Sequence, residues 1–169
     1  ILFLAFALFP VFLSAQAISI SDARAKALGS TITVRGIVTN GSELGKIRYL
    51  QDASAGLAAY PGAGSAGGFE ASVVAGDSIE VTGTLVDYHG LLEITPITSY
   101  SVIASGRPMP APKIIALSNL SDEYESQLVA FECVVFTEGG GIFSSGAHDV
   151  ADGDGHTAKM YLNSDHPLI

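Results

Sequence analysis

Apolar and polar side chains alternate in two stretches of the first hundred residues, TITVRGIVT at 31–39 and DSIEVTGTLVDY at 77–88. A repeat of two residues is typical of a β-strand with one buried face. The residues expected on the inward face of the longer stretch are Ile79, Val81, Gly83 and Leu85. Both stretches therefore predict strands that contribute one face to a hydrophobic core.

Shorter apolar runs between turn-forming residues predict the remaining elements. Further strands are expected at 46–52, 56–60 and 91–95, with an extension at 99–105. A short helix is expected at 22–28, with Ser21 as its N-cap and Gly29 at its end. The Gly- and Ala-rich stretch 61–76 is expected to be a loop.

Glycines interrupt two of the predicted strands, Gly36 in the first and Gly83 in the fourth. A glycine inside a strand weakens it, unless the sheet bends sharply at that point. The closure of a small barrel requires such bends. Five short strands with glycines at the bends therefore predict an all-β chain that forms a five-stranded Greek-key barrel, the OB-fold.

The sequence pattern begins again after this barrel. Three prolines follow one another closely in GRPMPAPK, which indicates a semi-rigid linker at 106–118. QLVAFECVVF at 127–136 then aligns with STITVRGIVT at a spacing of 97 residues, and KMYLN at 159–163 resembles IRYLQ at 47–51. We expect an OB-fold domain at 18–105, followed at 119–169 by a truncated second OB-like repeat that cannot bury a full core.

Residues 1–17, ILFLAFALFPVFLSAQA, are expected to be a secretory signal peptide. An apolar run precedes an Ala-x-Ala site, with cleavage after Ala15 or after Ala17. The run is too short for a stable membrane span, so we expect a secreted or cell-surface protein; a buried helix or single anchor is the alternative. Because an initiator Met and a basic N-terminal region are lacking, we expect the first codons to be missing.

Three blocks in this order, ISDARAKALGSTITVRGIVT, YLQDASAGLAAY and GDSIEVTGTLVDYHGLLEIT, resemble the OB-fold modules of secreted multidomain bacterial proteins. The resemblance covers residues 18–104 well and 120–169 weakly. Such modules accompany extracellular nucleases, lamin-tail-like domains or cell-surface sorting domains. The resemblance therefore implies an accessory role without catalytic residues, and further domains covalently attached downstream in the full-length protein.

The chain is acidic, with 17 Asp and Glu against 8 Lys and Arg and a net charge of −9. Non-specific affinity for nucleic acid comes mainly from Lys and Arg that neutralise phosphates. This balance disfavours a nucleic-acid partner without excluding it. The single cysteine, Cys133, excludes an internal disulfide and a Cys-rich zinc site, and its apolar neighbours predict a core residue within a strand.

An OB-fold binds ligands across its second and third strands and the adjacent loops. The candidate ligand-binding residues are Arg35, Lys46, Arg48, Tyr60 and Tyr88. Arginine and tyrosine together suit single-stranded nucleic acid, which needs charge for its backbone and stacking platforms for its bases. Arg48 and Tyr49 must point to opposite faces of one strand. The alternative is that Tyr49 packs in the barrel and the arginines are solvated or paired with carboxylates.

A cluster of carboxylates in the second half is a candidate calcium site, formed by Asp149, Asp152 and Asp154. The distal acid of an EF-hand is missing, because the corresponding residue is Asn163. A hairpin turn rich in Asp and Gly explains the same stretch. The histidines, whose spacings match no usual zinc pattern, are His148, His156 and His166. We expect no cofactor, with calcium as the alternative.

The sequence contains no nucleophile elbow, phosphate-binding glycine loop or paired-carboxylate motif. We therefore expect no active site in this chain, and any catalytic domain to lie elsewhere in the full-length protein. The expected function is that of a non-catalytic spacer or ligand-binding module. The alternatives are a module that binds single-stranded nucleic acid for an extracellular nuclease, and a cell-surface adhesive or carbohydrate-binding module.

Overall fold

The computed structural model describes residues 16–138, 143–164, 166 and 169. Nearly all of the predicted signal peptide thus lies outside the described residues. The elements of the first half are helix α1 (Ile20–Arg24), strands β1 (Thr31–Val38), β2 (Arg48–Gln51) and β3 (Gly56–Ala59), helix α2 (Phe69–Ser72), and strands β4 (Ser78–Tyr88) and β5 (Leu91–Ala104). No helix of the described part of the chain is long and apolar enough to cross a bilayer.

Strands β1 to β5 close into a barrel with the order β1-β2-β3-β5-β4, and β4 pairs again with β1. Neighbouring strands are antiparallel, except that β3 and β5 run in parallel through the pairs Ala58–Glu93 and Ala59–Ile94. The predicted all-β, five-stranded barrel is confirmed at this level of detail.

The core lies inside this ring and is almost entirely aliphatic. Ile79, Val81 and Leu85 of β4 are fully buried, as the alternation predicts. The two helices join the same cluster through buried Ile20 of α1 and Phe69 of α2. These residues form one hydrophobic cluster, so the barrel has its own core. Each buried side chain of this size contributes about 1.5–3 kcal/mol to the free energy of unfolding.

Gly83 lies where strand β4 approaches β5 most closely. A Cβ atom at this position would lie 2.5 Å from the carbonyl oxygen of Pro96 and 2.5 Å from Cγ2 of Ile94. The register between β4 and β5 also shifts on both sides of Gly83. The glycine is therefore required because another strand occupies the space of its side chain.

Helix α1 begins two residues earlier than predicted, at Ile20 instead of Asp22, and its N-cap is Ser19 instead of Ser21. The reason is a distant hydrogen bond, since the Ile20 N–H donates to the Asp52 carboxylate at 2.9 Å. Asp52 lies in the turn between β2 and β3. This long-range partner satisfies the first helical N–H group, which otherwise needs a local cap.

The prediction of a loop at 61–76 is wrong in part, because helix α2 lies within it. Phe69 is buried and packs edge-to-face on Tyr100, with 5.2 Å between ring centroids. This contact stabilises a helical turn that glycine-rich sequence disfavours. The two predicted strands at 91–95 and 99–105 form one continuous strand, β5.

The described residues of the second half form two small sheets. Their strands are β6 (Lys113–Ile114), β7 (Val129–Ala130), β8 (Val135–Phe136), β9 (Gly146–Ala151) and β10 (Thr157–Leu162). β6 and β7 pair in parallel, while β8, β9 and β10 form the other sheet. The division of the chain into linker and second OB-like repeat stays a prediction.

The single strand predicted at 127–136 is wrong, because β7 and β8 belong to different sheets. Cys133 lies between them with a φ of 56°, a left-handed backbone that a strand cannot continue through. The prediction that Cys133 is a core residue is also wrong, since its side chain is exposed. Both errors arise because this segment changes its pairing partner.

The segment 122–128 contacts the outside of the barrel. Arg24 of α1 forms an ion pair with Glu125, with 2.7 Å between Nη1 and Oε2. The Leu128 N–H donates to the side-chain oxygen of Gln51 at 2.9 Å. A Cβ atom at Gly56 would overlap the carbonyl group of Ser126. The two halves of the chain are thus in direct contact through this segment.

We expect Gly56→Ala to displace 122–128 from the barrel, because the new methyl group meets backbone that cannot move aside locally. The free energy of unfolding should fall by about 1–3 kcal/mol. Limited proteolysis after Glu123 and Glu125 should become faster. Arg24→Gln should expose the same bonds by a different route, and unchanged cleavage in both variants would contradict this contact.

Candidate ligand-binding groove

One row of residues crosses the outer face of the barrel. The row is formed by three cross-strand pairs. Tyr49 of β2 pairs with Ala58 of β3, Ala58 pairs with Glu93 of β5, and Glu93 pairs with Val86 of β4. Residues directly opposite one another share a face of the sheet. The next residue along β5, Ile94, belongs to the core, so the row faces outward.

A groove of about 540 Å³ lies on this outer face. Its lining comes from the β1–β2 loop, the end of β3 and the β4–β5 hairpin, and consists of Leu44, Lys46, Ile47, Tyr60, Tyr88, Leu91 and Glu93. Apolar and aromatic walls with a few polar groups are typical of small-ligand sites of this size. The tyrosines are accessible, with Tyr60 38% and Tyr88 60% exposed.

A second recess of about 340 Å³ adjoins the groove and shares Leu44 and Leu91 with it. Its other walls include Tyr49 and the segment Ser126, Gln127 and Leu128. Burial raises the pKa of the Tyr49 phenol, and the negative charges of Glu93 and Glu125 raise it further. The second half of the chain therefore forms part of the wall of this surface.

Three of the predicted ligand-binding residues, Lys46, Tyr60 and Tyr88, line the same groove. Lys46 lies at the groove with its Nζ 3.5 Å from the Glu70 carboxylate. Arg35 lines neither cavity and forms an ion pair with Glu80 on β4, with 3.0 Å between Nη2 and Oε2. Arg35 therefore follows the alternative expectation, in which the arginines pair with carboxylates and do not bind a ligand.

Arg48 is not at the groove, because its side chain is buried and only 2% exposed. It lies on the side of β2 that carries Leu50 of the core, as strand alternation requires. The guanidinium group donates to backbone carbonyls of the β1–β2 loop and of the segment around α2. These carbonyls, at 2.7–3.1 Å, are those of Gly41, Gly45, Ile47, Glu70 and Val73. We therefore remove Arg48 from the candidate ligand-binding residues.

Arg48 instead determines where one wall of the groove lies. Its Nη1 atom donates to Gly45 at 2.8 Å, and its Nη2 atom donates to Glu70 at 2.7 Å. These bonds connect the β1–β2 loop, which carries Leu44 and Lys46, to the segment around α2. The position of the loop is therefore set by a buried cation and not by loop residues alone.

Four groove residues were not among the predicted ligand-binding residues: Leu44, Ile47, Leu91 and Glu93. Glu93 is the charged one among them. The residue is only 4% exposed. Burial raises the pKa of its carboxyl above the ordinary value. Its sequence context, LLEIT, places a carboxylate between apolar residues of a predicted strand, and acidic residues are rarely buried in this way.

The carboxylates predicted to bind calcium lie in and beside the β9–β10 turn. Ligand atoms of Asp152, Asp154 and His156 lie within 4.8 Å of one another. Asp149 is not part of this group, since it accepts a hydrogen bond from Lys159 Nζ at 2.6 Å. The Asp152 carboxylate accepts hydrogen bonds from both N–H groups of the His156 backbone and ring, at 2.9 Å each. A self-contained turn explains these bonds, and calcium stays a prediction.

Two of the histidines considered for zinc, His148 and His156, lie in different surroundings. His148 lies on β9, where its ring contacts Glu138 at 3.2 Å and the Ser144 carbonyl at 2.8 Å. His156 contacts Asp152 in the turn. The two rings are therefore engaged with different partners.

No family model matches the chain. The endonuclease YhcR of Bacillus subtilis (strain 168) is 32% identical to it over 130 residues, which correspond to 71% of this chain and 10% of that protein. Among solved structures, the hypothetical protein ygiW from E. coli shares 17% identity with a TM-score of 0.43, over 53% of this chain and 91% of that chain. The chain is thus similar to a part of an endonuclease, and it spans about a tenth of that relative's length.

Proposed function

We propose that this chain is a non-catalytic OB-fold module of a larger exported, nuclease-associated protein, and that it binds a ligand in the groove of Tyr60, Tyr88 and Glu93. The observation that carries the proposal is the position of the groove. It lies between the β1–β2 loop and the β4–β5 hairpin of a five-stranded ring. These are the two loops between which OB-folds bind oligonucleotides and oligosaccharides.

The strand arrangement supports the OB assignment. The ring order β1-β2-β3-β5-β4, with a parallel β3–β5 pair closing it, agrees with a five-stranded Greek-key barrel. The groove also lacks a nucleophile–base pair among its described lining residues, whose ionisable groups are Lys46, Glu93 and two tyrosines. This lining supports binding in preference to catalysis.

Single-stranded nucleic acid is the second candidate ligand. The similarity to part of an endonuclease favours it, and the two accessible tyrosines could act as stacking platforms. The groove offers one cation, Lys46, whose charge is partly offset by Glu70. Binding to nucleic acid would therefore depend on stacking more than on neutralised phosphates.

The groove can be tested by titrating the ¹⁵N-labelled chain with a short oligothymidylate and with oligosaccharides, at low salt and then at increasing salt. We expect shift changes at Tyr60, Tyr88 and Leu91. Tyr88→Ala should weaken the affinity about fivefold or more, because base–tyrosine stacking contributes about 1–3 kcal/mol. A steep loss of affinity with salt would identify a nucleic-acid ligand.

Tyr161→Ala provides the matched control, since Tyr161 is 68% exposed on β10 and lines neither cavity. This substitution should leave the affinity unchanged. Equal weakening by both substitutions, or shift changes confined to surfaces away from the β1–β2 loop, would contradict a binding role for the groove.

A further inference from the structure

Glu93 distinguishes this groove from a purely apolar stacking surface. We propose that Glu93 makes the groove selective for a cationic nitrogen group, an alkylammonium or guanidinium group, whose apolar chain lies along the groove walls. This inference rests on the proposed function and names the chemical class of its ligand.

The Glu93 carboxylate has no ion pair or hydrogen bond with the residues that the structure describes. A carboxylate this deeply buried is normally paired or hydrogen-bonded. Among the described residues, none donates a hydrogen bond to it and no cation lies within ion-pair distance. Its neighbours across the sheet, Ala58 and Val86, have apolar side chains. Because Glu93 lines the groove, a cationic ligand in the groove can reach this carboxylate.

The charges around the groove favour a cation over an anion. Lys46 lies 3.5 Å from Glu70, which offsets its charge. Glu125 acts on neighbouring Tyr49 as a negative charge, although it is itself paired with Arg24 at 2.7 Å. A phosphate or carboxylate in the groove would be repelled by Glu93 and attracted only by Lys46, whose charge Glu70 partly offsets, whereas an ammonium group would be attracted to Glu93.

The remaining walls suit the other parts of such a ligand. The faces of Tyr60 and Tyr88 carry the negative side of the ring quadrupole, which attracts a nearby cation. Leu44, Ile47 and Leu91 offer apolar surface to an alkyl chain. A buried acid, aromatic rings and aliphatic side chains in one groove match a cation that carries a short hydrocarbon tail.

The test uses probes with one tail and different head groups: n-butylammonium, n-butylguanidinium, 1-butanol and butyrate. Each is titrated into the ¹⁵N-labelled chain, with the shifts of Tyr60, Tyr88 and Glu93 as readout. We expect the two cations to bind about tenfold more tightly than butanol, since hydrogen bonds to charged groups are stronger than neutral ones. Butyrate should bind most weakly.

Glu93→Gln should remove this advantage, so that the two cations bind no more tightly than butanol. Glu80→Gln is the matched control, because Glu80 is paired with Arg35 on the barrel surface outside the groove. The melting temperature of Glu93→Gln should equal or exceed that of the original chain, because an unpaired buried charge is removed. If the variant does not fold, the ranking of the four probes on the original chain still decides.

Two sources can present such a group, a free amine and a basic peptide side chain. Capped Gly-Lys-Gly and Gly-Arg-Gly peptides are compared with the butyl probes. Tighter binding of the peptides would assign the groove to a basic protein segment, and weaker binding would assign it to free amines.

Equal binding of butylammonium and butanol would overturn selection by Glu93 while leaving a ligand groove in place. Oligothymidylate that binds at Tyr88 and is not displaced by butylammonium would likewise overturn it in favour of nucleic acid. Groove shifts with none of the probes, oligonucleotides or oligosaccharides would contradict the proposed function itself.

Discussion

Gly83→Ala should lower the free energy of unfolding of this chain by about 3 kcal/mol, within the usual upper range for overpacking. The new methyl group would lie 2.5 Å from the Pro96 carbonyl oxygen and from Ile94 Cγ2. The carbonyl belongs to backbone that pairs with β4 itself, so it cannot move without opening the β4–β5 ladder. Equilibrium unfolding in urea measures the loss.

Gly67→Ala is the control for this substitution. A Cβ atom at Gly67 would meet nothing within 4 Å, and its φ lies outside the left-handed range. That variant should unfold within about 1 kcal/mol of the original chain or be slightly more stable, because alanine restricts the unfolded state. Equal unfolding midpoints for the two variants would show that β4 and β5 are not in close contact at Gly83.

Arg48→Ala should lower the free energy of unfolding by about 3–5 kcal/mol, because several backbone carbonyls lose a charged donor and each unsatisfied buried group costs about 1–3 kcal/mol. The carbonyls of Gly45, Glu70 and Val73 accept its shortest hydrogen bonds, at 2.7–2.8 Å. Arg48→Lys should recover little, since one ammonium group cannot reach acceptors in both the β1–β2 loop and the segment around α2.

The control for Arg48 is Arg35→Ala on the neighbouring strand. Arg35 is 55% exposed at its side chain and forms a surface ion pair with Glu80, which contributes about 0–1 kcal/mol. The ligand affinity of any Arg48 variant that folds should also fall, because the β1–β2 loop loses its anchor. Equal stability losses for Arg35→Ala and Arg48→Ala would contradict the buried position of Arg48.

The two arginines also show how far sequence can predict the site. Both lie on predicted strands beside an apolar residue. The residue type and its neighbours therefore do not distinguish a ligand-binding arginine from a buried one. Alternation does place Arg48 and Tyr49 on different faces of β2. It cannot show that five backbone carbonyls from the β1–β2 loop and the segment around α2 surround the guanidinium. Burial of a cation depends on loops that are distant in sequence.

Local periodicity predicted the barrel well, because inward residues of β4 repeat every second position and turns are rich in glycine. The start of α1 was missed because its first N–H group bonds to Asp52. The single strand predicted at 127–136 is wrong because its two ends, β7 and β8, pair in different sheets. Glu93 was missed because the groove that it lines forms only when strands and loops distant in sequence come together.

Closure of the ring brings Tyr60, Glu93 and Tyr88 to one surface, and the β3–β5 pair makes that closure. Amide hydrogen exchange and cross-strand NOEs, measured by NMR on the complete chain, test it. We predict slow exchange of the Tyr60 amide, which donates to the Ile94 carbonyl at 3.0 Å, and NOEs between Ala58 and Glu93. Rapid exchange at Tyr60 together with missing NOEs would show an open sheet, in which the groove does not exist.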